Sequence, residues 1–508
     1  MSEKEYIITV ADPAVWDEIW DKLTVDGLGD DFIPKRSITV ANDRPFNDYC
    51  AHFYFTIDEA IQIARDPRIE SIELKADLQD DVEKEHYAIK TYRYDKTNDT
   101  TAEMKNWALL RCIKQQDPFM FDQSQTADYT YSLDGKGVDI VVVDSGVSAD
   151  HPEFAVNPDG TGGSRVVDFD WASLGVTGCP TREQVNGYLG DADGHGSNCA
   201  SIAAGNTCGW ASGAAIYTIR IFDGNDIKTG QFLPAIDSDI AFDLVRAFHL
   251  KKLAEGNTRP TICTNSWGYR SGYSGMQYTV WRGSQYPNTT PISTYGQVYS
   301  YHPYTLNYLN ASVNNASNAG VIMVGAAGNY RHKIDVPGGV DYNNYYFYSS
   351  IYGQENIYYH RGSSPTNASS MITVGAIDNT SLEQKAYFSE SGPRVDIWAP
   401  GVMIMGAYAN SAYQTSAVQD PRRSGHYLNK ISGTSQATPQ VAGLLACLLQ
   451  LRPEMTPAEA KAMLKDVALD GAIVEEGPQS YSNTRSLLGS NNKFLFMPYS
   501  NPVRGKIS

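Results

Sequence analysis

VDIVVVDSGVSADHPEF, residues 138–154, begins with six residues of which five are apolar and β-branched, and the run then meets an aspartate. A strand of that kind is buried on both faces, which is the pattern of a parallel sheet covered by helices and not of a sheet with one wet side. Asp144 closes the run, so its carboxylate stands at the carboxyl end of the strand, where ligands gather in such sheets.

Similar runs recur at residues 261–263, 321–324 and 371–376, separated by helical stretches such as IAFDLVRAFHLKKL at 240–253. The fold class that follows is α/β, a mostly parallel sheet with helices on both faces. A smaller α+β unit precedes it at residues 1–80. There YIITV is followed by Asp12-Pro13 and by Val15, Ile19 and Leu23 on one helical face. AHFYF then leads into Thr56-Ile57-Asp58-Glu59, a capping box, and Ile69, Ile72 and Leu74 mark a last strand. Strand, helix, strand, strand, helix, strand is the order of a split βαβ sandwich.

Residues 81–104 are highly charged and poor in aliphatic periodicity, and read as an exposed linker. The main unit spans 105–475, and 476–508 reads as a C-terminal tail. Three segments rich in Tyr, Ser, Asn and Gly, at 269–304, 330–367 and 407–427, read as long loops inserted in the main unit.

A net charge of −17 over 508 residues argues against nucleic acid or an anionic membrane as partner. No apolar run is long enough to span a bilayer, and MSEKEYIITVAD lacks the basic start and apolar centre of an export signal. The expectation is a chain that stays in the cytoplasm or joins a viral particle. Seven cysteines leave at least one unpaired, and without an export signal all are expected to be reduced. Neither a zinc-spaced Cys/His cluster nor a phosphate-cradling Gly-Lys-Ser/Thr loop is present in the sequence.

Three other residues bear on chemistry. His195 lies in DADGHGSNCASIAAG, with glycines on both sides that admit close backbone and small residues after it that suit a packed helix. Ser435, in GTSQATPQVAG at 433–443, sits at the start of an apolar helix whose Pro439 is tolerated in the first turn. Unpaired N–H groups and the positive helix end favour an anion forming beside that serine. Asn329 ends VGAAGN, where a side-chain amide can supply a second donor.

With Asp-Ser-Gly at 144–146, Asp-Gly-His-Gly at 193–196, Asn-Ser-Trp-Gly at 265–268, Gly-Ala-Ala-Gly-Asn at 325–329 and Gly-Thr-Ser-x-Ala-Thr-Pro at 433–439, the chain resembles the subtilisin family of serine proteases, with some likeness to the proteinase K branch. The resemblance implies a serine endopeptidase: Ser435 as nucleophile, His195 as base and acid, Asp144 as its orienting carboxylate, and Asn329 with the Ser435 N–H as oxyanion donors. It also implies that polypeptide substrate pairs beside Ser266, Trp267 and Gly268, and that these with Ala326, Ala327 and Gly328 wall the main specificity pocket. Apolar walls suggest a bulky uncharged side chain before the cut.

The first unit resembles the family's inhibitory propeptide, which implies a zymogen that cuts itself between Gln79 and Met104. The chemistry needs no cofactor or metal; a structural calcium is a family habit, although no complete calcium loop is found here. Cys199, one helical turn after His195, reads as a small buried thiol. Ser197 and Asn198, and Gln436 and Gln440, depart from the family's frequent residues without removing a triad atom. The alternative reading is a virion or assembly component that uses the fold as a binding module, docking through its Tyr-rich loops.

Overall fold

The computed structural model describes residues 3–25, 36–43, 49–75, 88–97, 99–272, 276–288, 301–350, 353–408, 417–475 and 483–498. By contact density the chain divides into two units, residues 1–86 and 87–508.

In the first unit, strands Val40–Asn42, Cys50–Phe55, Lys4–Val10 and Ile69–Leu74 lie in that order in one antiparallel sheet. Asp12 caps a short 3-10 turn that runs into the helix Trp16–Thr24, whose Trp16, Ile19 and Leu23 are buried. The second helix, Ile57–Ile63, starts on the reciprocal Thr56–Glu59 capping box. Ile8, Val10, Phe53, Phe55 and Ile63 join Ile19 and Leu23 in one core.

The second unit is built on an eight-stranded sheet. Its order is Ala215–Arg220, Asp139–Asp144, Thr261–Asn265, Ile322–Ala326, Ile372–Ile377, Ile397–Pro400, Lys493–Phe494 and Leu469–Asp470. Every neighbouring pair is parallel except the last. Strand Asp139–Asp144 shows why its four central residues are all apolar. Ile140 and Val142 enter one core with Ala200 and Ala203 of the helix His195–Ala204 and Val441 and Leu445 of the helix Thr434–Leu451. Val141 and Val143 enter a second core with Phe242 and Val245 of the helix Ser238–Ala254 and Leu309 and Val313 of the helix Asn307–Asn318. Successive side chains therefore serve opposite faces of a sheet covered on both sides.

Three expectations are corrected. The stretch read as linker contains the strand Ala88–Asp95, which belongs to the second unit and pairs antiparallel with Ser124–Tyr131. Its inward positions are Lys90, Tyr92 and Tyr94, a period of two that a search for aliphatic residues passes over. The stretch read as tail supplies Lys493–Phe494 to the main sheet, with Phe494 fully buried.

The Tyr-rich segments are strands as well as loops. Ser284–Pro287, Met276–Trp281, Tyr345–Ser350 and Gly353–Tyr358 form one antiparallel sheet drawn from the first two segments. Tyr346, Ile357 and Tyr359 give it a small core of its own. Aromatic and β-branched residues favour a pleated surface, and here that preference overrides the turn-forming Ser, Asn and Gly between them.

Candidate active site

Asp144 ends its strand with 1% of its surface exposed. Its Oδ1 accepts hydrogen bonds from the Ser145 N–H at 2.7 Å and from His195 Nδ1 at 2.8 Å. A carboxylate can only accept, so Nδ1 carries the proton and Nε2 of the neutral ring is left as a base. Burial disfavours the charged ring, but the Asp144 carboxylate and, after it, Cys199 together outweigh that and raise His195 well above its ordinary value of 6.5.

His195 opens its helix behind Gly194, which takes a left-handed φ of 97°. The next residue has to be glycine for another reason. A Cβ on Gly196 would stand 2.1 Å from the Gly146 carbonyl oxygen, so only a bare backbone lets this helix approach the Asp144 strand.

Asp191 holds the two together. Its Oδ1 accepts from Ser145 Oγ at 2.7 Å and Gly194 N at 2.8 Å, and its Oδ2 from the Ser197 N–H at 2.8 Å and the Ser197 hydroxyl at 2.6 Å. Ser145 Oγ in turn accepts from Gly196 N at 2.8 Å. The sequence reading passed over Asp191, although it begins the same glycine-flanked segment as the histidine.

Ser435 is the second residue of the helix Thr434–Leu451, and Pro439, expected in the first turn, is the sixth and lies inside the helix. Its hydroxyl donates to the Ser266 carbonyl at 2.9 Å, and the Ser266 hydroxyl donates back to the Ser435 carbonyl at 2.9 Å. Cys199 Sγ lies 3.5 Å from the Ser435 carbonyl oxygen and 3.9 Å from His195 Nδ1, so one buried sulfur touches both residues. Burial pushes that thiol up. Among the described residues no hydrogen bond joins Ser435 to His195 itself.

Asn329 Oδ1 accepts from both the backbone N–H and the hydroxyl of Thr434, each at 2.9 Å. A backbone N–H can only donate, which fixes this atom as the amide oxygen and leaves Nδ2 as the outward donor on an exposed residue.

Asn329 and Ser435 border a pocket of about 250 Å³ that is also lined by Ser266, Trp267, Gly268, Ala326 and Gly328. Ala327 does not line it. In an extended segment alternate residues face opposite ways, and Ala327 goes into the core with no exposed surface. The sequence reading did not anticipate what else the pocket contains: Glu390, 1% exposed, and Ser363, 8% exposed.

The chain's residues 135–494 match the family model described as the subtilase family. This chain belongs to the subtilase family. Among the curated relatives of this subtilase, a subtilisin-like serine protease of Davidiella tassiana is 29% identical over 396 residues, which cover 76% of this chain and 57% of that protein. Another, from Penicillium citrinum, is 28% identical over 440 residues, 84% of this chain and 71% of that one. The subtilase thus spans little more than half the length of the first of these relatives. A solved structure of a cold-adapted subtilisin-like serine proteinase aligns at 23% identity with a TM-score of 0.46, covering 79% of this chain and 98% of that one.

Among the described residues the one compact group of three metal-capable side chains is Asp144, His195 and Cys199, with ligand atoms within 4.8 Å of one another. One carboxylate, one imidazole and one thiol do not suit calcium, which takes six to eight oxygens. No helix among the described residues is long and apolar enough to cross a membrane.

Proposed function

We propose that this subtilase is a serine endopeptidase. The observation that carries the reading is the single site formed by the Asp144–His195 hydrogen bond, the Ser435 hydroxyl at a helix start and the outward amide of Asn329. In the reaction the Ser435 hydroxyl would exchange the Ser266 carbonyl for His195 Nε2 as acceptor. Ser435 Oγ then attacks the substrate carbonyl while His195 takes its proton, and Asp144 stabilises the imidazolium. Asn329 Nδ2 and the Ser435 N–H hold the oxyanion. His195 next returns the proton to the departing amine, and water attacking the acyl-enzyme repeats the sequence and frees the serine.

Polypeptides are the proposed substrates, and the first unit is the proposed inhibitory segment. Self-cleavage then falls between Gln79 and Tyr87, within residues outside the described set. The later part of the window first expected is taken up by Ala88–Asp95, which is paired along its whole length with Ser124–Tyr131. A bound calcium would act on stability alone, so chelation should lower the melting temperature without changing the chemistry. The assembly-component alternative has no support from the relatives, which are named as proteases.

Expression of the full chain beside Ser435→Ala, followed by intact mass and N-terminal sequencing, tests the reading. Wild type should lose a fragment ending in 79–87 and cut an added polypeptide, while the variant does neither. Equal cleavage by both proteins would overturn it.

A further inference from the structure

Glu390 has no ordinary reason to be where it is. It is 1% exposed and borders the pocket beside Ser435, yet its Oε2 is buried without a hydrogen-bond partner among the described residues. Leaving a carboxylate oxygen dry and unpaired is expensive, and proteins keep such groups where something else arrives to satisfy them.

Beside the carboxyl, the pocket wall is bare backbone. The Glu390 N–H donates to the Gly328 carbonyl at 2.9 Å, which fastens the glutamate to the segment carrying Asn329. Gly328 has a φ of +120°, and a Cβ there would lie 2.6 Å from Glu390 Cδ, so any side chain at 328 would cover the acid. Elsewhere in the pocket lining, a Cβ on Gly268 would strike Ser363 Oγ at 2.6 Å. Both glycines line the same pocket as Glu390 and Ser363, and a side chain at either would intrude on it.

Nearby cations do not fill that role. Lys385 is committed to the carbonyls of Ser389 at 2.8 Å and Ala386 at 3.2 Å. Arg270 also borders the pocket, but it is exposed, and it lies on the rings of Tyr301 and Tyr330 with a hydrogen bond to the Tyr330 hydroxyl. Burial raises Glu390 well above the ordinary carboxylate value, with Lys385 only partly opposing it.

Resting on the peptidase reading, we propose that Glu390 is a specificity-determining residue that receives the basic side chain of a lysine or arginine immediately before the scissile bond. The methylenes of such a side chain fit apolar walls, and its charged head supplies the donors that the carboxylate lacks. This replaces the bulky uncharged preference that the walls alone suggested.

The test uses the full chain and peptide p-nitroanilides that differ only in Lys, Arg, Leu or Phe at the cleaved residue. Wild type should favour Lys and Arg by at least roughly tenfold in kcat/KM, and Glu390→Gln should lower the basic-to-apolar ratio by roughly a hundredfold. A wild-type preference for Leu or Phe, or a ratio unchanged in the variant, would overturn the proposal. A second readout does not depend on turnover: p-aminobenzamidine fluorescence with Ser435→Ala should report binding that the added Glu390→Gln weakens at least about tenfold. Absent or Glu390-independent binding overturns the assignment whether or not a peptide is cut. Glu390-dependent binding without any peptide cleavage would instead count against the peptidase reading alone.

Discussion

Asn329 and Thr434 are locked in one orientation: the amide oxygen of Asn329 accepts two hydrogen bonds from Thr434, each at 2.9 Å, which leaves its NH₂ as the donor on the exposed side. Such a donor is already placed before a charge develops, and that is what makes oxyanion stabilisation effective. Asn329→Leu keeps the volume and removes the donor. In subtilisin itself the loss of the corresponding donor lowers kcat by about 10²–10³, and the same drop, with KM little changed, is expected here from steady-state kinetics.

The raised His195 value has a direction that can be checked in two ways. An imidazolium cannot accept the serine proton, so kcat/KM should rise with pH through an ionisation above 6.5. The folded value exceeds the unfolded one, so the His195–Asp144 pair contributes stability that is complete below the unfolded value and lost as pH climbs through the folded one. Asp144→Asn should move the activity limb to lower pH and cut kcat about 10⁴-fold. A limb that stays in place would separate Asp144 from the histidine.

Asp191 accepts from Ser145, Gly194 and Ser197, so both the residue after Asp144 and the first turn of the His195 helix depend on one buried carboxylate. Asp191→Ala strands those donors and is expected to cost about 2–4 kcal/mol in denaturant unfolding. Because it acts by positioning, kcat should also fall, and the activity limb should shift as His195 loses its fixed contact with Asp144.

Cys199 Sγ touches His195 and the Ser435 carbonyl from inside the core. Inorganic mercury bound there would displace both, so wild type should lose peptidase activity on titration with mercuric chloride. Cys199→Ala should resist the same treatment, and equal inhibition of both would place the sensitive thiol elsewhere.

The four residues proposed for catalysis could be picked out because each sits in a short segment with a local chemical signal: a strand end for Asp144, a glycine-flanked helix start for His195, a helix start behind a Gly-Thr turn for Ser435, and a strand-to-turn junction for Asn329. The main sheet was legible through strands whose two faces are both apolar. What escaped depends on distant packing. Glu390 follows Phe388-Ser389 in a stretch with no pattern that marks a glutamate for burial, and only the fold brings it against Gly328. The strand at 88–95 turns Lys90, Tyr92 and Tyr94 inward, so its core-facing side is not aliphatic. The Tyr-rich segments carried turn and strand signals together, and pairing between segments about sixty-five residues apart, as between Val280 and Tyr345, decided the outcome.

The most direct measurement is to treat the purified full chain with diisopropyl fluorophosphate and locate the adduct by peptide mass mapping. The account predicts one phosphoryl adduct on Ser435 in wild type, with loss of peptidase activity in proportion, and none in Ser435→Ala or His195→Ala. An unlabelled wild-type chain, or an adduct that persists elsewhere when Ser435 is alanine, would contradict the assignment of Ser435 as the nucleophile.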